Sequence, residues 1–118
     1  MMRMIEMATD LGRALAQTDE YQILKRTVAD AEGDQGMADL RVELEGFEEG
    51  IQAALQGGSE PDTPLKESYE EAVGRLQSNP TYQRLVSAQA NFDKVLLKVN
   101  RTIQEGIAEG AESRIILP

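Results

Sequence analysis

Apolar residues recur along this chain in alternating steps of three and four, the period of an α-helix. No stretch alternates every second residue for long enough to form a strand. The clearest run comes last. Over about residues 80 to 109, Leu85, Phe92, Leu96, Val99, Ile103 and Ile107 share one helical face, while Gln83, Asp93, Lys98, Arg101 and Glu105 fall elsewhere. Two further runs have heptad-like spacing: Met37, Leu40, Leu44, Phe47, Ile51 and Leu55 over about 35 to 56, and Leu65, Tyr69, Val73 and Leu76 over about 64 to 77. Two shorter ones open the chain, with Ile5, Ala8, Leu11, Gly12 and Leu15 over about 3 to 16, then Tyr21, Leu24, Val28 and Ala31 over about 19 to 31. The pattern predicts an all-α fold: a bundle of about five helices with a long C-terminal helix, dimeric, and a single domain over 1–118.

The breaks between runs have local causes. Thr18 and Asp34 carry side-chain oxygens suited to accept from the free amides that open a helix, and Thr63-Pro64 and Asn79-Pro80 each set a cap ahead of a first-turn proline. Asp19 and Glu20 suit the positive end of a helix. Gly57-Gly58-Ser59-Glu60-Pro61-Asp62 is rich in turn residues and predicts the principal loop. Leu11-Gly12-Arg13 followed by Tyr21-Gln22 is echoed by Val73-Gly74-Arg75 followed by Tyr82-Gln83, with offsets that differ by one residue. That is reuse of a helix-break-helix signal rather than a repeat.

Composition narrows the chemistry. With 118 residues and 41% hydrophobic content the chain suffices for one domain, but three tyrosines and two phenylalanines leave the core to Leu, Ile, Val, Met and Ala. There is no cysteine and no histidine, which removes disulfides, thiolate nucleophiles, imidazole bases and nitrogen or sulfur metal ligands together. The acid pairs Glu48-Glu49 and Glu70-Glu71 are consecutive on helices and point apart, and a di-metal bundle site needs a Glu-x-x-His pair. Ser59, Ser68, Ser78, Ser87 and Ser113 have no base partner, neither Lys66 nor Lys94 forms a serine-lysine arrangement, and Gly57-Gly58 leads into acidic residues rather than a phosphate loop. The expectation is a non-enzyme with no catalytic residue, cofactor, metal or small-molecule substrate.

The opening Met1-Met2-Arg3-Met4-Ile5-Glu6 meets charge at once, and no apolar run approaches a membrane span, so a cytoplasmic protein without a membrane partner is expected. Twenty-one acidic against 12 basic residues give a net charge of −9, and Lys25-Arg26 is the only adjacent basic pair. Direct nucleic-acid binding is therefore not expected. The alternative reading is an RNA-associated accessory protein whose Lys25, Arg26, Arg84, Lys94, Lys98 and Arg101 compose a cationic face.

Length argues for a protein partner. A last helix of about 30 residues would span about 45 Å, against a sphere of about 35 Å for a chain this size. Its overhang would carry Val99, Ile103 and Ile107. Phe92, Leu96, Val99, Ile103 and Ile107 are thus the candidate assembly surface, with a homodimer as the first expectation and a related or regulatory protein as the other; a heptad face of this kind serves equally as an internal seam. Gly46, Gly50 and Ala54 form a candidate close-packing strip, as do Ala8, Gly12 and Ala16, although Glu45, Glu48 and Glu49 also suit the former to a solvated face. Tyr21 and Tyr82 fit either partner anchors or core edges. The Ile115-Ile116-Leu117 tail either docks or stays disordered.

Taken in order, Leu11-Gly12 with Leu15-Ala16, Thr18 with Glu20-Tyr21, Asp34 before the third helix, and Asn79-Pro80 followed by Ala88, Phe92 and the run from Val99-Asn100 to Ile103 resemble the YlbF/YmcA family over roughly residues 4 to 108. The resemblance implies an all-helical bundle assembling as dimers or hetero-oligomers. It also implies a bacterial regulator of competence, sporulation or biofilm formation that acts through protein contacts. Some members join a complex that modulates messenger-RNA processing by RNase Y, and those members carry cysteines that help hold iron-sulfur clusters. This chain has no cysteine, so a cluster is not carried over.

Overall fold

Each break in the apolar pattern becomes a helix boundary. The computed structural model describes residues 1–116, with side chains through 112. It consists of α1 (Met2–Ala16), α2 (Asp19–Glu32), α3 (Gln35–Gln56), α4 (Thr63–Ser78) and α5 (Pro80–Ile116). Among the described residues there is no strand, and no helix is long and apolar enough to cross a membrane.

The caps explain the starts. Thr18 Oγ1 accepts from the Tyr21 amide at 3.2 Å, Asp34 Oδ1 accepts from the Met37 amide at 3.0 Å, and Asn79 Oδ1 accepts from the Thr81 and Tyr82 amides at 2.8 and 3.1 Å. The echo between the two tyrosine junctions proves structural. At the first, the Gln22 side-chain amide, four residues past the cap, donates to the Ala16 carbonyl at 2.7 Å; at the second, Gln83 donates to the Gln77 carbonyl at 2.9 Å in the same register. Each junction thus ties the end of one helix to the start of the next. The one-residue difference in offset arises because two residues, Gln17 and Thr18, separate α1 from α2, while Asn79 alone separates α4 from α5.

Two boundaries differ from expectation. Thr63 is already helical; the preceding Asp62 takes the N-cap position and makes no side-chain cap bond. Pro64 needs no amide partner at either of the first two positions, so the helix can start one residue early. Helix α5 also runs past residue 109 to Ile116, a length of about 55 Å at 1.5 Å per residue. Gly110 fails to stop it because an interior glycine costs only about 1 kcal/mol, and Ala108, Glu109, Ala111 and Glu112 around it favour helix. Of the predicted tail, Leu117 and the side chains of Ile115 and Ile116 lie outside the described residues.

The chain divides into two units. One comprises Lys25–Val86, where α3 and α4 pack together as an antiparallel pair. Leu40 and Ala72 are buried there, Ala72 completely, and the Arg75 guanidinium pairs with Glu43 of α3 and lies 3.6 Å from Glu71 on its own helix. The loop between them turns at Gly58, whose φ of 77° only glycine adopts readily, and this returns the Gly58 and Ser59 amides to the carbonyls of Leu55 and Ala54 at 3.1 and 2.9 Å. The other unit comprises Met1–Leu24 and α5 from Ser87 onward. Leu24 and Ala88 are buried in it, and the Tyr21 ring meets Phe92 edge to face, with centroids 5.2 Å apart and planes at 61°.

Candidate protein-interaction surface

Four apolar residues, Leu24, Leu40, Ala72 and Ala88, are buried among the described residues. Much of the apolar pattern that produced the helices therefore stays in contact with solvent. The effect is strongest in helix α1, which has no buried residue at all. Met4, Ile5 and Met7 are each more than half exposed, and Leu11 is 37% exposed.

The predicted stripe on α5 separates into two parts. Phe92, Leu96 and Val99 are half-buried, and the Phe92 ring is in contact with Tyr21 of the same chain. Ile103 and Ile107, one turn apart near the C-terminal end, are 46% and 59% exposed. The residues following Val99 on the described part of α5 are all exposed, so nothing among the described residues covers this end of the stripe. An apolar row of this kind in water is costly and usually marks a surface that another chain covers.

The small-residue strips are not uniform. A methyl group built on Gly50 would sit 3.3 Å from Leu65 Cδ2 of α4, so α3 and α4 approach closely there, whereas one built on Gly46 or Gly12 would meet nothing within 4 Å. Ala54 is half-buried. Tyr21 packs against Phe92, and Tyr82 is half-buried with its amide held by Asn79. Of the cations that compose the alternative RNA face, Lys25, Arg26, Lys94, Lys98 and Arg101 are exposed, while Arg84 donates to Thr81 Oγ1 at 3.3 Å.

That last contact belongs to a small polar network which the sequence signalled only as a helix cap. Asp34 uses both carboxylate oxygens, Oδ1 on the Met37 amide and Oδ2 on the hydroxyl of the buried Thr81, which donates to it at 2.8 Å. The Met37 amide first, then the Thr81 hydroxyl, with smaller help from the Gly36 amide and the Arg84 guanidinium, hold the Asp34 carboxyl below its ordinary range against the opposing effect of burial. The network locks the start of α3 to the start of α5, and its chemistry is structural. Among the described residues no cluster of three or more acidic side chains is placed to hold a metal ion.

Residues 4–108 match the family model described as control of competence regulator ComK, YlbF/YmcA. A UPF0342 protein of Bacillus mycoides (strain KBAB4) is 24% identical over 104 residues, covering 88% of this chain and 89% of the relative. A UPF0342 protein of Bacillus cereus (strain ATCC 10987) is 23% identical over the same length. The crystal structure of Bacillus subtilis RicA in complex with RicF superposes with a TM-score of 0.84 at 15% identity, over 93% of this chain and 97% of that one. The likeness establishes a shared all-helical fold.

Proposed function

Because the chain belongs to the YlbF/YmcA family of competence-control proteins, we propose that it is a non-catalytic regulatory or scaffolding subunit that works by contacting other protein chains, a second copy of itself first among them. The observation that carries this reading is the uncovered apolar end of α5, Ile103 and Ile107, on a chain that buries few apolar side chains by itself. Phe92, Leu96 and Val99 continue that face inward, and a two-fold partner would place the same row on both copies. The fold shared with RicA, a protein crystallised with RicF, supports association with a related chain as the other form of the same activity. The absence of cysteine and histidine leaves the chain no thiolate nucleophile, imidazole base, or nitrogen or sulfur metal ligand from those residues, in keeping with this reading. The cytoplasm is the compartment in which such a regulator would meet its partners.

Light scattering on the purified chain tests this directly. The wild type should weigh as a dimer, and the double substitution Ile103→Glu with Ile107→Glu should reduce the mass to that of one chain while leaving the helical content almost unchanged. A wild-type monomer at every concentration, together with no protein retained on the tagged chain from its native host after ribonuclease treatment, would remove the proposal.

A further inference from the structure

A separate feature lies within the unit formed by Lys25–Val86. Val28, Met37, Leu44, Leu76, Tyr82 and Leu85 enclose an apolar groove of about 480 Å³, and none of them is fully buried. Its mouth is acidic. Glu32, Glu45 and Glu48 stand around it with a single cation, Arg41. Glu45 and Glu48 also line a second depression of about 430 Å³, together with Glu49, Gln52, Ala53 and Gln56. The salt bridges among the described residues use Asp10, Arg13, Glu43, Glu71 and Arg75, so the four glutamates of the mouth and shelf carry charges that no ion pair neutralises.

The shape sets the size of the occupant. Ala38, Arg41, Glu45, Glu48, Gln52 and Gln56 follow one another at three- and four-residue steps along a single face of α3, and from Ala38 to Gln56 that face extends about 27 Å. A small molecule would fill only the apolar half. A helix of matching length would fill both, setting apolar side chains at i, i+3 or i+4 and i+7 between Met37 and Leu85 and leaving its other end over the glutamates. Met37 suits such a floor because its unbranched thioether adapts to differently shaped anchors. Charge selects among helices: the shelf attracts lysine and arginine, and it repels nucleic acid, anionic lipid and a second copy of a chain whose net charge is −9.

We propose that this groove and shelf are the docking site for an amphipathic helical segment of another protein, with apolar anchors in one half and lysine or arginine in the other. The inference rests on the reading that the chain works through protein contacts, but it uses residues other than the α5 stripe. Four synthetic peptides of about 18 residues, matching the length of the α3 face, are suitable probes. Each would carry leucines at the anchor spacing in one half and either lysines or glutamates in the other, with the charged half placed at the N-terminal or the C-terminal end.

Fluorescence anisotropy on the full chain should show one lysine peptide binding at least about tenfold tighter than its glutamate counterpart, with affinity falling as salt rises. The exposed triple reversal Glu45→Lys, Glu48→Lys, Glu49→Lys should invert that preference without changing helicity, melting temperature or oligomeric mass. Ala38→Trp should weaken both peptides by filling the groove. The Ile103→Glu, Ile107→Glu variant should still bind the lysine peptide, which separates this inference from the assembly proposal. Absence of binding, equal binding of both charge types, loss of binding in the α5 variant, or a change in mass on charge reversal, which would mean that a second copy occupies the groove, would each overturn it.

Discussion

The α3–α4 pair and helix α1 are built from similar apolar periodicity, yet they dispose of it differently. In the pair, Leu40 and Ala72 are buried, Gly50 lets Leu65 approach, and Arg75 reaches across to Glu43. In α1, Met4, Ile5, Met7 and Leu11 are exposed and no residue is buried, and the same is true of Ile103 and Ile107 on α5. The contrast teaches that an apolar stripe specifies a helix and a face, but not the body that covers the face. A short loop that folds α4 back on α3 supplies the cover for one; for the other, the described residues supply none.

Core truncation should separate the two regions most sharply. Leu40→Ala should cost about 2 to 5 kcal/mol, while Leu11→Ala in a chain without a partner should cost within about 0.5 kcal/mol, both read by urea unfolding at one protein concentration. Equal losses at the two sites would show that α1 is covered in solution. The charge substitutions at Ile103 and Ile107 probe the same difference through mass instead of stability.

The junction caps come next in size. Thr18→Ala and Asn79→Ala remove equivalent acceptors and should each cost about 1 kcal/mol. A much smaller cost at Thr18 would mean that the start of α2 is already frayed in solution. The glycines give a finer comparison. Gly46→Ala meets open space and should stabilise the helix by about 0.5 to 1 kcal/mol, whereas Gly50→Ala must push on Leu65 and should gain less. If Gly46→Ala lowers the oligomeric mass, that strip belongs to the assembly contact.

The smallest effect is a pH dependence confined to the Lys25–Val86 unit. Because the folded state holds Asp34 below the ordinary carboxylate range, its contribution to stability is fully present above that range and is lost as pH falls through the lowered folded value. The difference in melting temperature between wild type and Asp34→Asn should therefore be constant near neutral pH and shrink in acid. A difference that grows on acidification would contradict the network described for Asp34, Thr81 and Met37.

Helix positions were legible because their causes are local. Period, caps and first-turn prolines act within a few residues, and Thr18, Asp34 and Asn79 do in the structure what their side chains suit them to do. Where the boundaries differ from the pattern, at Thr63 and beyond Gly110, the deciding quantities are small differences of propensity that a spacing pattern does not resolve. The candidate surface was legible only as a stripe from Phe92 to Ile107. Which part of it stays exposed, that Phe92 is partly taken by Tyr21, and that Gly50 but not Gly46 is closely approached depend on residues far away in sequence.

The sequence by itself determined the all-helical class, the order of the helices, the lack of histidine and cysteine chemistry, and the expectation of a protein partner. Only the tertiary structure decided which apolar residues find cover within the chain, and it alone revealed the acidic-mouthed groove, because Val28, Met37, Leu76 and Leu85 come from four helices. Periodicity is a property of one helix at a time, whereas burial and cavity shape arise from the packing of several, and a pattern read along one helix carries no coordinate for the next.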